Sequence, residues 1–343
     1  MITVVAILNW NGLNHLKTFL PSVVKHSIGE GNKVLVIDNG STDESCSWIR
    51  QNYPNVELLN LEHNYGFAGG YNRGLSGIKA DRYVLLNSDV EVSEDWIKRV
   101  NNTMDEMEFS ACSPRILNLS YPSQFEYAGA AGGYVDKDGY MFCAGRIFDS
   151  FEDADSNYKD DREVFWASGA ALFIDATSWE EVGGLDEDFF AHMEEIDLCW
   201  RLKNRGRKVG VCGSVNVHHL GGGTLSKSSS TKVFLNFRNN LLLLLKNEDG
   251  FWPIFIFRRL ILDGIAALRF LLKGEMSFFF SVAKAHLVFY TLIFSFLNKR
   301  RIENKAKQSS SHNKNGRYTR SIIIDYFFRG IKKYSQLDQS KFV

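Results

Sequence analysis

The sequence predicts an α/β protein built on a mostly parallel sheet. Short apolar runs rich in Val, Ile and Leu alternate with segments of helical spacing, and several of these runs stop abruptly at Asn or Asp. A strand, a helix and a second strand in succession predict a parallel crossover. Because ligands bind beyond the carboxyl ends of the strands in open α/β sheets, the sequence also predicts a ligand site at that edge.

The predicted elements follow one another along the chain. Short apolar runs predict strands at residues 2–8, 33–37, 56–61, 83–86, 111–117, 165–174 and 208–212, with a continuation at 215–219. Apolar residues at helical spacing predict helices at residues 13–25, 95–107, 192–202 and 231–246. Residues 121–162 are polar and rich in Gly and Asp, which predicts loops and hairpins over the site.

Composition narrows the class of protein. The 343 residues carry a formal net charge of zero, so no overall field attracts nucleic acid, and we expect no such partner. The five cysteines are scattered without metal-binding spacing, which predicts reduced thiols in the cytosol. Residues 2–8 are already strand-like, so we expect a cytoplasmic protein without a signal peptide.

Polar side chains end three of the predicted strands. Asn9 follows the first strand, Asp38 follows the second, and Asn87 and Asp89 follow the fourth. Turn formation explains one such end, but the repetition at one edge of a sheet favours a nucleotide-type site. A carboxylate such as Asp89 can hold a divalent cation that binds phosphate oxygens.

Residues 63–74, HNYGFAGGYNRG, predict a glycine-rich loop that opens a helix. The backbone N–H groups of such a loop can approach a phosphate or a sugar closely. The loop contains neither the Gly-Lys-Ser/Thr of a Walker A motif nor the GxGxxG of a dinucleotide-binding fold. It therefore points to a different kind of nucleotide site.

Two later segments carry further candidate groups. Glu194, Asp197 and Arg201 share one face of a predicted helix, and Glu195 lies on the neighbouring face. A solvated acidic helix start is an alternative interpretation of these acids. The adjacent His218 and His219 precede three glycines. On a strand they face opposite sides, so at most one points at the site, and a nearby aspartate-held metal favours a ligand role for it.

Taken together, these segments resemble the family 2 glycosyltransferases, which are inverting nucleotide-sugar enzymes. Within this family, the sequence most resembles the bacterial rhamnosyltransferase-like members that build surface polysaccharide. It implies a GT-A fold, with a Rossmann-like central sheet that is mixed, mostly parallel and flanked by helices. The matching stretches, in the family's order, are ILNWNG, VIDNGSTD, HNYGFAGGYNRG, LLNSDV, WASGAALFI, GGLDEDFFAHMEEIDLCWRL and VHHLGGGT.

The resemblance implies a role for each matching residue. Asp89 would bind the metal, and His219 would complete the metal site. Glu195 would be the general base, with Glu194 and Asp197 next in line. The remaining matches are nucleotide contacts at Asn9, Asn11, Asp38, Asn64, Gly66, Asn72, Asn87 and Ser88, and contacts with the donor and acceptor sugars at Trp166 and Gly169. Asn87 and Glu195 depart from the family, which usually has Asp at both positions.

The implied reaction moves a sugar from a dTDP- or UDP-sugar to a hydroxyl of a glycan or lipid-linked acceptor in cell-surface polysaccharide synthesis. Resemblance alone favours dTDP-rhamnose as the donor. Mg²⁺ or Mn²⁺ would neutralise the diphosphate leaving group while a carboxylate deprotonates the acceptor, and a single displacement would invert the anomeric centre.

Two other functions stay open. A sugar-phosphate nucleotidyltransferase shares the sheet and the nucleotide, but it would need a Gly-rich signature with Arg or Lys after the first strand, which residues 9–12 lack. A catalytically inactive nucleotide-sugar-binding scaffold is supported only by Asn87 and Glu195. Turnover distinguishes the scaffold from the enzyme.

The last third of the chain predicts helices that lie on a membrane. We divide the chain into a glycosyltransferase domain at 1–230, apolar and amphipathic helices at 231–300, and a basic, partly disordered tail at 301–343. The apolar segments 251–272 and 276–297 and the basic residues after them predict peripheral attachment to the anionic inner face of the plasma membrane. The alternatives are a true span at 278–297 and burial in the core or in a homodimer interface.

Overall fold

The structure, a computed structural model, describes residues 1–29, 31–126, 129–155, 157–221, 229–308 and 312–343. The strands are β1 (Thr3–Asn9), β2 (Lys33–Asp38), β3 (Glu57–Asn60), β4 (Arg82–Leu86), β5 (Val90–Glu91), β6 (Phe109–Asn118), β7 (Gly133–Asp136), β8 (Met141–Cys143), β9 (Arg146–Ile147), β10 (Ser150–Phe151), β11 (Arg162–Glu163), β12 (Ala171–Asp175), β13 (Lys208–His219) and β14 (Arg317–Tyr318). The helices are α1 (Leu13–Ser27), α2 (Ser45–Asn52), α3 (Gly66–Leu75), α4 (Trp96–Met107), α5 (Ala176–Val182), α6 (Glu194–Asn204), α7 (Ser230–Asn247), α8 (Trp252–Leu272), α9 (Met276–Gln308) and α10 (Ile322–Phe327).

The central sheet has the strand order β11-β13-β6-β12-β4-β1-β2-β3, with β5 paired to β13. The pairs β1–β2, β1–β4, β2–β3 and β6–β13 are parallel, and β12 is antiparallel to both of its neighbours. The predicted mixed, mostly parallel sheet is therefore confirmed. The carboxyl ends of β1, β2 and β4 lie side by side, because their registers bring Asn9 opposite Asp38 and Ile7 opposite Leu86.

Both faces of the sheet are covered, which explains the continuous apolar runs. Along β1, Val4 and Ala6 belong to one core cluster, while Val5 and Ile7 belong to the other. Buried residues of α1 and α4 pack into the second cluster, and buried residues of α3, α6 and α7 pack into the first.

Glycines let α3 lie close to the sheet. A Cβ added at Gly70 would come 2.6 Å from Cδ1 of Leu8, and one added at Gly74 would come 2.3 Å from Cδ1 of Ile37. The helix can therefore approach the ends of β1 and β2 only without these side chains. This close approach brings the glycine-rich loop beside the polar strand ends.

The predicted hairpins within residues 121–162 form most of a second sheet, whose order is β10-β9-β8-β7-β14. Its last strand, β14, comes from the tail, which we expected to be partly disordered. Residues 312–343 pack against this sheet, where Tyr318 and Phe342 join Tyr134 and Phe142 in one aromatic cluster, and residues 309–311 of the tail lie outside the described residues. Burial of these rings gives the tail its order.

The C-terminal helices form a layer in which α7 and α8 both pack against α9. Helix α9 runs past the predicted boundary at residue 300 because its last turns carry buried ion pairs and hydrogen bonds. Nη1 of Arg300 donates to the carbonyl of Leu245, and Glu303 pairs with Arg205 at 2.8 Å. Among the described residues, one helix, Met276–Lys307, is long and apolar enough to cross a membrane, and 28% of its most apolar window is buried.

Candidate active site

The ends of β1 and β2 are joined by a network of side-chain hydrogen bonds. Nδ2 of Asn9 donates to Oδ1 of Asp38 at 2.9 Å and to Oγ of Ser41 at 3.1 Å. The other carboxylate oxygen of Asp38 accepts from the Ser41 amide at 3.0 Å. Asn9 and Asp38 are both buried. The two strands therefore present one rigid polar edge, as the sequence pattern predicted.

Asn11 joins the two loops that follow these strands. Its backbone is left-handed, with φ of 51°, and its amide donates to Oγ of Ser41 at 2.9 Å. Its side-chain oxygen accepts from the amides of Thr42 and Asp43 at 2.7 and 3.2 Å. Asn tolerates the left-handed region better than most residues, which explains its use at this turn.

The glycine-rich loop is held against β2 by Asn39. Nδ2 of Asn39 donates to Oδ1 of Asn64 at 2.9 Å and to the carbonyl of Gly66 at 3.0 Å, while its oxygen accepts from the Tyr65 amide. Gly66 has φ of +74°, and a Cβ there would come 2.8 Å from the ring of Phe190. Asn64 and Gly66 thus lie at the strand edge, where a nucleotide would approach.

Asp89 and His219 meet at the end of β4. Nε2 of His219 lies 3.1 Å from Oδ1 of Asp89 and 3.4 Å from Nδ2 of Asn87. The pairing of β13 with β5 sets this contact, because it brings His219 opposite Val90. His218 occupies the opposite face of the strand. The structure therefore puts His219, rather than His218, beside Asp89, with the half-buried Asn87 and Ser88 next to them.

The charges of this cluster stabilise one another. Burial would raise the pKa of Asp89, but the hydrogen bond and charge of His219 bring it below its ordinary value. Burial would lower the pKa of His219, but Asp89 and Glu126 raise it to about 9. Nδ1 of His219 lies 3.4 Å from Oε2 of Glu126. The site thus gathers negative charge around one imidazole, in a place from which water is largely excluded.

The donor atoms fit a divalent cation that shares its coordination with a substrate. Asp89 and the neutral form of His219 would hold the cation, so its binding would displace the ring proton that now faces Asp89. Among the described residues no three His, Cys, Asp or Glu side chains form a closed metal site. Two protein ligands are enough where phosphate oxygens and water supply the rest.

Two acids begin helix α6. Glu194 is 5% exposed and Glu195 is half-buried. Oε2 of each is buried and has no hydrogen-bond partner among the residues that the structure describes. The side chain of Glu195 lies against Gly169, where an added Cβ would be 3.3 Å from both Cβ and Cγ of Glu195. Because Ala170, the next residue, accepts from the Asn87 amide at 3.0 Å, Gly169 links Glu195 to the end of β4.

Both carboxyls hold protons more tightly than ordinary glutamates. Burial raises the pKa of Glu194 well above its usual value, and the nearby charge of Glu195 raises it further. Burial also raises the pKa of Glu195, against backbone hydrogen bonds that lower it. A carboxylate with a raised pKa and a free oxygen is a suitable proton acceptor.

The loop before α6 has an unusual backbone. Phe190, His192 and Met193 have φ of 64°, 68° and 75°, in the left-handed region that favours glycine. Helix α6 consequently begins at Glu194, two residues after the predicted start. Left-handed residues other than glycine persist only where surrounding contacts hold them, and they cluster at functional sites.

Asp197, a predicted reserve for the base, has a structural role instead. Its Oδ2 accepts from Nε of Arg201 at 2.7 Å and from Nζ of Lys246 at 2.9 Å, and its Oδ1 accepts from Asn247 at 2.8 Å. The side chain is fully buried. Burial raises the pKa of Asp197, but the charges of Arg201 and Lys246 bring it below its ordinary value. A carboxylate so fully occupied is a poor proton acceptor.

Asn72 and Trp166 make contacts within the protein, and their predicted contacts with the substrates stay predictions. The side-chain amide of Asn72 binds the backbone of Leu185 in both directions, at 2.8 and 2.9 Å, so it fixes the turn before α6. The buried indole of Trp166 covers Gly133 and donates to the carbonyl of Tyr134 at 3.1 Å. Residues 165–170 leave the predicted strand for this packing, and β12 begins only at Ala171.

Sequence reasoning missed two residues of the site. Asn39 directly follows Asp38, so its position beside the strand edge was a signal that we did not use for a site assignment. Glu126 carried no signal, because its approach to His219 depends on the bridge between Leu117 and Phe125. That bridge joins the end of β6 to a segment of irregular sequence.

Comparisons with known proteins agree with this geometry. Residues 4–127 match the family model described as glycosyl transferase family 2. The chain is 27% identical, over 61% of its length and 66% of the relative's, to the low-salt glycan biosynthesis hexosyltransferase Agl10 of Haloferax volcanii. It is 25% identical, over 77% of its length and 86% of the relative's, to the N-acetylglucosaminyl-diphospho-decaprenol L-rhamnosyltransferase of Mycobacterium tuberculosis.

A solved structure supports the fold independently. The crystal structure of GalNAc-T7 with UDP, GalNAc and Mn²⁺ aligns with a TM-score of 0.54 at 17% identity, over 72% of this chain and 48% of that one. The family match covers β1 to the end of β6, and the structural likeness shows that the sheet as a whole has the GT-A arrangement. The chain therefore carries a glycosyl transferase family 2 domain at residues 4–127 and has the GT-A fold.

Proposed function

We propose that this protein transfers a sugar, with inversion, from a nucleotide diphosphate sugar to a hydroxyl of a lipid-linked glycan at the inner face of the plasma membrane. One observation carries the proposal. The Asp89–His219 pair at the end of β4 is connected through Ala170 and Gly169 to Glu195, a carboxyl with an unpartnered buried oxygen. This arrangement supports a diphosphate-binding group and a proton acceptor close to one strand end.

Each side of the site has its own task. Asp89 and His219 would hold Mg²⁺ or Mn²⁺, which supplies Lewis-acid stabilisation of the diphosphate leaving group. Asn9, Asn11, Asp38, Asn64 and Gly66 would surround the nucleoside. Glu195 would take the proton of the acceptor hydroxyl, a contribution typically worth about 10²–10⁴ in rate. The cation in GalNAc-T7 supports a divalent metal here.

The relatives suggest the substrates. The mycobacterial relative is named for transfer of L-rhamnose to a diphospho-decaprenol carrier, which supports a polyprenyl-diphosphate-linked acceptor for this chain. The same name supports a deoxyhexose donor such as dTDP-rhamnose, whereas the archaeal relative is named as a hexosyltransferase. We therefore propose dTDP-rhamnose and UDP-hexoses as the donors to test first.

Helix α8 supports the proposed membrane location. Its charged residues Arg259 and Asp263 point inward, are 5% and 0% exposed, and pair at 2.7 Å. Most of its exposed residues are apolar, with Phe257 and Ile265 64% and 61% exposed, although Arg258 and Arg269 are exposed as well. A soluble helix normally shows the opposite pattern. Two of the four charges of α8 are thus removed from its surface, and the exposed Arg258 and Arg269 suit the anionic lipid headgroups while the apolar side chains enter the lipid interface.

The site and the membrane face belong to different parts of the chain. We propose that the nucleotide-sugar domain ends near residue 230, where α7 begins, and that α7 to α9 carry the membrane contact. This keeps the predicted boundary at 230 and moves the next boundary to the end of α9.

The decisive experiment is a donor panel. Purified protein is incubated with UDP-, dTDP- and GDP-sugars and a polyprenyl-diphosphate N-acetylglucosamine, with Mn²⁺, with Mg²⁺ or with EDTA, and released nucleoside diphosphate is measured. We expect metal-dependent release from one donor class, with loss of turnover in Glu195→Gln. If no donor gives release, and none binds in calorimetry, the proposal is wrong. Binding without release would favour the scaffold.

A further inference from the structure

We propose that Asn239 of helix α7 is a positioning residue for Glu195, and that it acts by holding the left-handed loop before α6 in shape. This inference rests on the proposed function, in which Glu195 is the general base. Asn239 was not among the predicted site residues, and it lies in a part of the chain outside the family match.

The contacts of Asn239 are concentrated on that loop. Its side chain is fully buried, and Nδ2 lies 2.9, 2.8 and 2.7 Å from the carbonyl oxygens of Phe189, Ala191 and His192. An amide nitrogen carries two hydrogens, so the three carbonyls share them in bifurcated bonds. Nε of Arg238 donates to Oδ1 of Asn239 at 2.8 Å and fixes the orientation of the amide.

These carbonyls belong to a backbone that needs external support. Two of the three left-handed residues, Phe190 and His192, lie in the segment that Asn239 spans, and Met193 follows at once. Each such conformation is unfavourable by about 1–3 kcal/mol for residues other than glycine. Hydrogen bonds that gather the carbonyls on one side of the loop are a direct way to offset that strain.

The loop in turn sets the position of the base. The carbonyl of Met193 accepts from the Asp197 amide at 2.9 Å, which closes the first turn of α6, the turn that contains Glu195. Glu195 already touches Gly169, so a change in the loop would displace the carboxyl relative to the end of β4. A misplacement of about 1 Å can reduce the rate about 10²-fold.

Asn240 provides a matched control. It is the next residue of α7, it is also buried at 3% exposure, and its Nδ2 donates to the carbonyl of Gly139 at 2.8 Å. It therefore anchors α7 to a different part of the chain. Asn239→Ala and Asn240→Ala each remove a buried amide from the same helix, so a general loss of packing should affect both variants alike.

The test compares steady-state kinetics of the wild type, Asn239→Ala, Asn239→Ser and Asn240→Ala. We expect kcat to fall about 10- to 100-fold in Asn239→Ala, with donor KM within about twofold of wild type. Asn239→Ser keeps one hydrogen-bond donor, so its kcat should lie between those of the wild type and Asn239→Ala. The kcat of Asn240→Ala should stay within about threefold of wild type. Equal losses of kcat in both alanine variants, or a change confined to donor KM, would contradict the inference.

Hydrogen–deuterium exchange of the same variants tests the positioning without turnover. Peptides covering residues 187–197 should exchange faster in Asn239→Ala than in Asn240→Ala. Unchanged exchange there would contradict the inference even if activity fell. If Asn239→Ala does not fold, the Asn239→Ser data decide. If the wild type transfers no sugar, the proposed function fails, while exchange still shows whether Asn239 holds the loop.

Discussion

Nε2 of His219 faces Oδ1 of Asp89 at 3.1 Å, although the two residues are 130 positions apart in the sequence. The contact follows from strand pairing. Strand β13 runs parallel to β6, and β5, which follows β4 in the chain, pairs antiparallel with the end of β13. The polar strand end is thereby converted from an isolated carboxylate into a carboxylate–imidazole pair.

We expect Asp89→Asn to lose at least about 10² in kcat, because the amide keeps the shape of the carboxylate but removes the charge that attracts a cation. Binding of Mn²⁺ together with a nucleoside diphosphate, measured by calorimetry, should weaken in parallel. Asp95→Asn makes the same chemical change at an exposed residue and should have no effect. Full metal-dependent turnover by Asp89→Asn would show that the cation binds at other residues.

Glu195→Gln should reduce kcat about 10²–10⁴-fold while leaving the affinity for nucleoside diphosphate unchanged, since glutamine cannot accept the acceptor's proton. Rapid quench and equilibrium binding separate the two quantities. The neighbouring Glu194→Gln provides the comparison. A larger loss in Glu194→Gln than in Glu195→Gln would assign the base to Glu194.

Glu194 should make the fold less stable as the pH rises. Its pKa is raised by burial from the usual 4.5, so above that value the unfolded chain releases a proton that the folded chain retains. Glu194→Gln should therefore increase the free energy of unfolding at pH 7.5 and have little effect at pH 4. Urea titrations at the two pH values measure the difference, and an equal effect at both would show that the carboxyl is not desolvated.

The carboxylate of Asp197 should have the opposite effect, so that the fold becomes less stable as the pH falls. Its pKa lies below the usual 3.8, so the stability it contributes is present above that value and is lost as the pH falls through the lowered pKa. Asp197→Asn removes the negative charge that pairs with the buried Arg201 and Lys246. We therefore expect this substitution to destabilise the fold by about 3–5 kcal/mol at pH 7. The deficit should shrink in acid. Variant protein that remains folded in the cold should keep measurable turnover, unlike Glu195→Gln.

The outer face of α8 should decide membrane binding. Phe257→Glu and Ile265→Glu place charge on its apolar surface, and each should weaken binding to vesicles by about tenfold or more. Flotation with phosphatidylglycerol vesicles and with phosphatidylcholine vesicles measures affinity and lipid charge dependence. Met107→Glu, which alters another exposed apolar residue, should bind as wild type. Unchanged flotation of both α8 variants would favour a buried or dimeric role for this face.

Local sequence was sufficient to predict the strand ends, but not the partners of the side chains. Asn9, Asp38 and Asp89 follow apolar runs in strand–helix–strand order, so their common edge could be predicted. The helical spacing of Asp197 and Arg201 also predicted a shared face. Nothing in that spacing showed that Lys246 and Asn247 of a distant helix would donate hydrogen bonds to the carboxylate of Asp197. The packing of Trp166 could not be predicted for a similar reason, since its indole covers Gly133, which lies in another sheet.

The tail strand β14 has a consequence for biosynthesis. It pairs with β7, and the Ile322 amide beyond it donates to Asp136, 186 residues earlier. While the ribosome is still translating the C-terminal helices, β7 has an unpaired edge, the kind of surface that promotes aggregation. A nascent chain can complete this sheet only after residue 318 has left the exit tunnel. The second sheet is therefore completed only after α7 to α9 have been translated.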